Sequence, residues 1–343
     1  MSVVWDRQRR FAPIGPDGQE RLKTAHVVIV GLGALGSVLA ERMARAGVGG
    51  LRLLDRDVVE PENLGTQALY TLQDAEGLLP KAVAAARHLR EIHPEIAVEA
   101  VVVDLNAENA EELLRGVEIV LDGTDNFETR LLLNDVCVKH GIPWVYASVV
   151  EGYGQTMAIV PRKTACLRCL YPHVPKPGAL PTCETVGLLA TAPAVVAALA
   201  ATQALRLLVG NEPPSELVHW DVWEMRGRAV PVTRRPDCAT CAQGRFAFLE
   251  GEGQRAAVLC GRDAVQLRPP LEPRGGGGMR MDLAALAERL RASGDVRRGD
   301  HLLRFRPSRE DAEIVLFPDG RAILKGVRTE AEARSLYARY IGL

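Results

Sequence analysis

Short apolar runs alternate along the first half of the chain with longer stretches whose apolar positions recur at helical spacing. The run 27–30 reads as a buried strand, 38–46 as a helix and 51–55 as a second strand. Helices are predicted over 82–92, 107–114 and 126–140, and strands over 97–103, 117–121, 144–148 and 154–160. Strand and helix in this alternation predict an α/β fold, a Rossmann-like, doubly wound and mostly parallel sheet. The longest apolar stretch, 188–209, is interrupted by Thr191, Pro193, Thr202, Gln203 and Arg206, so it reads as a buried helix and not a membrane span.

Residues 172–181 form a Pro/Gly-rich loop, and past residue 245 the pattern shortens. Short strands, a helix at 282–292, a hairpin about Asp319-Gly320 and a last helix near 329–340 follow, with 269–278 as an exposed connection. The expected organisation is a large domain over 1–245 and a small Arg-rich α/β domain over 246–343. No chemistry-bearing cluster is found in the second; it is expected to dock a partner or to stabilise a dimer.

Composition narrows the partners. The 343 residues carry 42 basic and 43 acidic side chains, a formal charge of −1, which gives no electrostatic footprint for nucleic acid or an anionic membrane. The polar first ten residues hold no apolar leader core, so a soluble, cytoplasmic protein is expected. The 7 histidines are scattered without a metal-binding pair.

Three constellations carry chemistry. The run Ile29-Val30-Gly31-Leu32-Gly33-Ala34-Leu35-Gly36 joins a strand to a helix through a G-x-G-x-x-G turn, with Asp55 at the spacing of a ribose ligand. Glycines let the backbone approach an anion that the new helix's unpaired N–H groups attract. Cys166-x-x-Cys169 and Cys238-x-x-Cys241 are two knuckles able to complete a structural tetrathiolate zinc site. Asp122-Gly123-Thr124-Asp125-Asn126 closes a strand at the sheet edge where ligands bind, so Asp125 either holds Mg²⁺ or, like Asn126, caps the next helix. Lys81, after Gly77 and Pro80 at the head of an Ala-rich helix, is on local grounds a solvated side chain. Cys137 and Cys260 read as packing residues, and Trp220 and Trp223 as core residues with a partner-facing role as the alternative.

Arg7-Gln8, Gly18-Gln19, the glycine loop, Leu54-Asp55-x-Asp57, Glu62-Asn63-Leu64, Pro80-Lys81, Asp122 to Asn126 and both cysteine pairs occur in one order over about residues 5–245. In this the chain resembles the ThiF/MoeB adenylyltransferases, bacterial relatives of ubiquitin-activating enzymes. The resemblance implies that Mg-ATP occupies the loop at Gly31, Gly33, Ala34 and Gly36. The C-terminal carboxylate of a ubiquitin-like sulfur carrier ending in Gly-Gly then attacks its α-phosphate, in a thiamine, molybdopterin or tRNA-thiolation pathway. It also implies ribose contacts from Asp55 and nucleotide contacts from Asp57 and Asn126, with Asn63 and Lys81 on phosphates and Asp125 on Mg²⁺. Arg7 would reach the triphosphate of the neighbouring subunit of a homodimer.

Cys183 occupies the position of a cysteine that forms a thioester or acyl-disulfide with the carrier, with an inert thiol as the alternative. The family commonly reads Asn-Leu-x-Arg-Gln where this chain has Asn63-Leu64-Gly65-Thr66-Gln67, so Thr66 stands in place of a phosphate-gripping arginine. Arg56 and Arg130 are the candidates to supply that charge. Adenylation is the leading expectation; a catalytically impaired ATP-binding scaffold and an NAD-dependent oxidoreductase are the alternatives.

Overall fold

A computed structural model describes residues 2–174, 182–251, 258–259, 264–267 and 281–342. The chain divides into two compact units, Met1–Ala75 with Pro80–Gly253, and Glu76–Leu79 with Gln254–Leu343.

The first unit is built on an eight-stranded sheet. Its strands are β1 (His26–Val30), β2 (Gly50–Asp55), β3 (Ala97–Val102), β4 (Ile119–Asp122), β5 (Trp144–Val150), β6 (Tyr153–Ile159), β7 (Glu216–Asp221) and β8 (Arg226–Pro231). They lie in the order β3-β2-β1-β4-β5-β6-β7-β8. The first five are parallel to one another and the last three are added antiparallel. Consecutive apolar residues in β1 and β4 are buried on both faces, as a parallel sheet covered on each side requires. The order reverses direction at β1, so a crevice opens between the carboxyl ends of β1 and β4.

The principal helices of this unit are Ala34–Ala46, Lys81–Ile92, Phe127–His140 and Ala192–Leu208. The first starts four residues earlier than its apolar pattern because the glycine turn itself supplies the opening turn. The last is the stretch that the sequence assigns to a buried helix, and no described helix is long and apolar enough to cross a membrane. The helix expected at 107–114 is a single turn, Ala110–Leu113.

The second unit holds a six-stranded antiparallel sheet, β9 (Val258–Leu259), β10 (Ala264–Leu267), β11 (Gly294–Arg298), β12 (Leu303–Pro307), β13 (Glu313–Leu316) and β14 (Ala322–Lys325). Helices Leu283–Leu290 and Glu330–Tyr340 pack on one face over a core that includes Leu303, Phe305, Ile314, Leu324 and Leu336. The expected hairpin at Asp319-Gly320 joins β13 to β14, with Gly320 at φ 81°. Cys260 and the connection at 269–278 fall outside the described residues.

Candidate active site

The glycine turn is held by sterics that only hydrogen atoms can meet. A Cβ at Gly36 would stand 1.8 Å from the Gly31 carbonyl oxygen, and one at Gly123 would stand 2.3 Å from the same atom. Gly31 adopts φ 80°, the left-handed region. Gly33 differs, because a Cβ there would meet nothing within 4 Å. Three glycines therefore close the turn, and the fourth keeps space open where a ligand would approach.

Asp55, at the end of β2, clamps this turn from beside it. One carboxylate oxygen accepts the Leu32 amide at 2.6 Å and the other the Asp57 amide at 2.7 Å. Burial pushes the Asp55 carboxyl above its ordinary pKa, against the pull of Lys81 and these two amides. Each oxygen keeps a lone pair for a further donor such as a ribose hydroxyl.

Lys81 corrects its local reading. It is 3 % exposed, and its Nζ stands 3.3 Å from Asp57 Oδ2. Its own amide donates to the Asp57 carbonyl at 2.9 Å, beside the bridge between Val58 and Pro80. The chain after β2 is thus stitched to the helix start, which carries the ammonium under the end of the sheet. The Tyr70 hydroxyl donates to the Leu32 carbonyl at 2.8 Å and ties the same corner.

The end of β4 separates the two roles left open for Asp125 and Asn126. Asn126 is the cap, its Oδ1 accepting the Thr129 amide at 2.8 Å. Asp125 is exposed and makes no hydrogen bond or ion pair among the described residues, so its carboxylate faces solvent at the crevice. Asp122 is fully buried; it accepts from Thr124 and is paired with Arg130 at 3.1 Å. Arg130 also donates to the carbonyls of Thr124 and Ala147. Nε and Nη2 of Arg130 are therefore committed to shaping the turn.

Arg56 is the cation that remains near the site. It reaches Asp104 at 3.1 Å and Asp57 at 3.8 Å. Burial opposes its charge, but Asp57, Asp104, Asp125 and Asp55 outweigh that and raise its pKa above the ordinary value. Asn63 is buried in the 3₁₀ turn Pro61–Gly65, its Oδ1 accepting the Glu60 amide at 3.0 Å, which leaves its amide nitrogen to donate to a ligand. Thr66 follows as the half-buried residue closing that turn.

Arg7 lies elsewhere. Trp5 Nε1 donates to the Arg45 carbonyl at 2.9 Å, while Gln8 and Gln19 donate to the Ala46 carbonyl at 2.8 and 3.0 Å. The N-terminal arm thus caps the far end of helix Ala34–Ala46, about 20 Å from the glycine turn at 1.5 Å per residue. Arg7 is exposed there and cannot serve the site of its own chain.

The four cysteines meet. Cys166 lies 3.9 Å from Cys169 and 3.6 Å from Cys238, and Cys169 lies 3.5 Å from Cys241, sulfur to sulfur. All four sulfurs fall within 4.8 Å of one another. Zinc–sulfur bonds of about 2.3 Å place tetrahedral sulfurs about 3.8 Å apart, so the donor set fits zinc with no position left for substrate. Two adjacent residues of helix Phe127–His140, which sequence reasoning missed, grip the knuckles. Asn134 Oδ1 accepts the Leu167 amide at 2.8 Å, and Asp135 accepts Thr240 Oγ1 at 3.3 Å and the Phe248 amide at 2.9 Å. Their signal was present as two polar residues inside the apolar run 131–138. Burial raises the Asp135 carboxyl to about 6, against those hydrogen bonds. Cys137 is fully buried in the core, as expected.

Cys183 is half-buried and its thiol donates to the Val149 carbonyl of β5 at 3.4 Å. Trp223 is 75 % exposed in the turn between β7 and β8, beside Met225 at 77 %, which overturns its assignment to the core. Trp220 is half-buried and packs over Gly227, where a Cβ would stand 2.1 Å from its ring.

The ThiF family model matches residues 5–240. Over the whole of both chains, the sequence is 44% identical to the sulfur carrier protein ThiS adenylyltransferase of Bacillus subtilis. It is 40% identical to the SAMP-activating enzyme E1 of Haloferax volcanii, over 69% of this chain and 87% of that protein. It is likewise 40% identical to the sulfur carrier protein adenylyltransferase of Thermus thermophilus, over 69% of this chain and 89% of that protein. The fold is similar to that of E. coli MccB crystallised with ATP, with TM-score 0.57 and 25% identity over 65% of this chain and 68% of that one.

Proposed function

Because the chain belongs to the ThiF family, we propose that it adenylates the C-terminal carboxylate of a ubiquitin-like sulfur carrier protein, with Mg-ATP as the second substrate. The observation that carries this reading is the grouping, at one sheet edge, of an open glycine turn, a buried lysine and an exposed carboxylate. A dinucleotide reading has no use for the last two.

In this reading the amides at the start of helix Ala34–Ala46 take the phosphates, and the spare lone pairs of Asp55 take the ribose hydroxyls. Asp57 holds Lys81 in place, and the ammonium, the Asn63 amide and Arg56 stand where phosphate charge accumulates. Asp125 is the residue that would hold Mg²⁺, whose chemistry is to neutralise phosphate oxygens. A carboxylate oxygen of the carrier forms a bond to the α-phosphorus as the bond to the β-phosphate bridging oxygen breaks. The acyl-adenylate stays and pyrophosphate leaves with the electron pair. Little covalent work falls to the protein, and fixed positive charge is its contribution. The half-buried Cys183 is the candidate to receive the acyl group afterwards, its sulfur displacing AMP. The four cysteines would hold zinc as a structural tie. Arg7 supports a homodimer in which each copy completes its neighbour's site, and the exposed Trp223 and Met225 offer an aromatic and apolar anchor for a carrier.

Isotope exchange between labelled pyrophosphate and ATP, with Bacillus subtilis ThiS as carrier, tests the reading. Exchange that needs both carrier and Mg²⁺ is expected. ATP binding without exchange would support the impaired scaffold suggested by Thr66, and absence of ATP binding would overturn the assignment.

A further inference from the structure

At the carboxyl end of β5 lies a polar network that the mechanism above leaves unused, and its protons can be counted. Gln155 Nε2 donates to the phenol oxygen of Tyr146 at 2.9 Å and to that of Tyr171 at 2.7 Å. Tyr146 passes its own proton to Ser148 Oγ at 3.0 Å, and the two phenol oxygens are 3.5 Å apart. The amide of Gln155 thereby makes acceptors of both phenols, and the one proton of Tyr146 is spent on Ser148. Two protons are left over: that of Ser148 Oγ–H, with no acceptor among the described residues, and that of Tyr171 O–H, whose alternative is the long contact to Tyr146. Both residues are half-buried, so their hydroxyls are neither lost in the core nor freely hydrated. Burial and the neighbouring Tyr146 push the Tyr171 phenol above its ordinary value, which keeps it a donor at working pH.

The place of this pair in the fold is informative. Ser148 precedes Val149, whose carbonyl takes the Cys183 thiol. Phe127, two residues after Asp125, packs edge-on against Tyr171 with ring centroids 5.0 Å apart. Arg130, which fixes the Asp122 turn, lies 5.5 Å over the ring of Tyr146. The two spare hydroxyls therefore lie by the carboxyl end of β5, Ser148 on the strand next to the residue whose carbonyl holds Cys183, and Tyr171 packed on Phe127 after the Asp125 turn.

The geometry points to Ser148 and Tyr171 as the donors that hold main-chain carbonyl oxygens of the carrier's extended C-terminal tail while its carboxylate meets the α-phosphate. A tail that ends in two glycines presents no side chain for recognition there, and carbonyl oxygens are what it can offer. Neutral hydroxyls suit them, because each can donate to a carbonyl oxygen. This assignment rests on the adenylation reading.

Steady-state pyrophosphate exchange with Bacillus subtilis ThiS and ATP, each varied in turn, tests it in Ser148→Ala and Tyr171→Phe. Each variant is expected to raise KM for the carrier about three- to tenfold, the usual weight of one neutral hydrogen bond, with KM for ATP and zinc content unchanged. Ser148→Thr, which keeps the hydroxyl, is expected to restore the carrier KM. Equal increases in both KM values, or a carrier KM unmoved in both variants while the wild type exchanges normally, would overturn the hydroxyl assignment alone. A wild-type enzyme with no carrier-dependent exchange would overturn the adenylation reading and this one with it.

Discussion

At the scale of single residues, one arginine is set among carboxylates and one carboxylic acid is held above its ordinary pKa. Arg130 engages Asp122 and two carbonyls through Nε and Nη2, whereas Arg56 sits among the carboxylates that border the nucleotide crevice. Arg56→Ala is therefore expected to lower kcat for pyrophosphate exchange about a hundredfold, and Thr66→Arg to recover at least part of that loss when added to it. Rates of the two single variants and the double variant check this, and additive losses would separate the two positions. Asp135 makes a pH prediction. Its folded pKa, about 6, lies above the ordinary value of 3.8, so the folded state holds the proton more tightly than the unfolded chain. Its stabilising contribution is complete below about pH 4 and is lost as pH rises through 6. The stability difference between wild type and Asp135→Asn, from urea titrations at each pH, is expected to shift against the wild type by on the order of 3 kcal/mol from pH 4 to pH 7.

At the scale of elements, the glycine turn separates folding from binding within a few residues. Gly36→Ala places a methyl 1.8 Å from the Gly31 oxygen and is expected to cost about 3 kcal/mol or more in thermal unfolding. Gly33→Ala meets open space, so stability should hold within about 0.5 kcal/mol while ATP affinity measured by calorimetry falls at least tenfold. This turn was legible in the sequence because strand, turn and helix are encoded over neighbouring positions. The strands of the parallel sheet were legible for the same reason, each within a few residues of its predicted limits. Lys81 was not, because its burial depends on the bridge between Val58 and Pro80, and local spacing registers only an Ala-rich helix start. Trp223 misled because apolar character without period cannot tell a covered turn from a bare one. The Tyr146–Ser148–Gln155–Tyr171 network escaped as well, since its members come from two strands and the end of a knuckle.

At the scale of the whole molecule, two elements tie distant parts of the chain. The cysteine tetrad joins segments separated by 72 residues, and Asn134 and Asp135 anchor both knuckles to one helix. Prolonged chelation, or Cys169→Ser, is expected to lower Tm by several degrees with loss of one zinc per chain by elemental analysis. The N-terminal arm, by contrast, leaves Arg7 one helix length away from the crevice its own chain builds. Under the proposed homodimer, in which each Arg7 serves its neighbour's site, complementation between chains is expected. A preparation of Arg7→Ala chains and one of Lys81→Ala chains would each be inactive, but after subunit exchange half of the pairs would carry a single native site. Random reassortment of two dead enzymes should thus recover about a quarter of the wild-type rate.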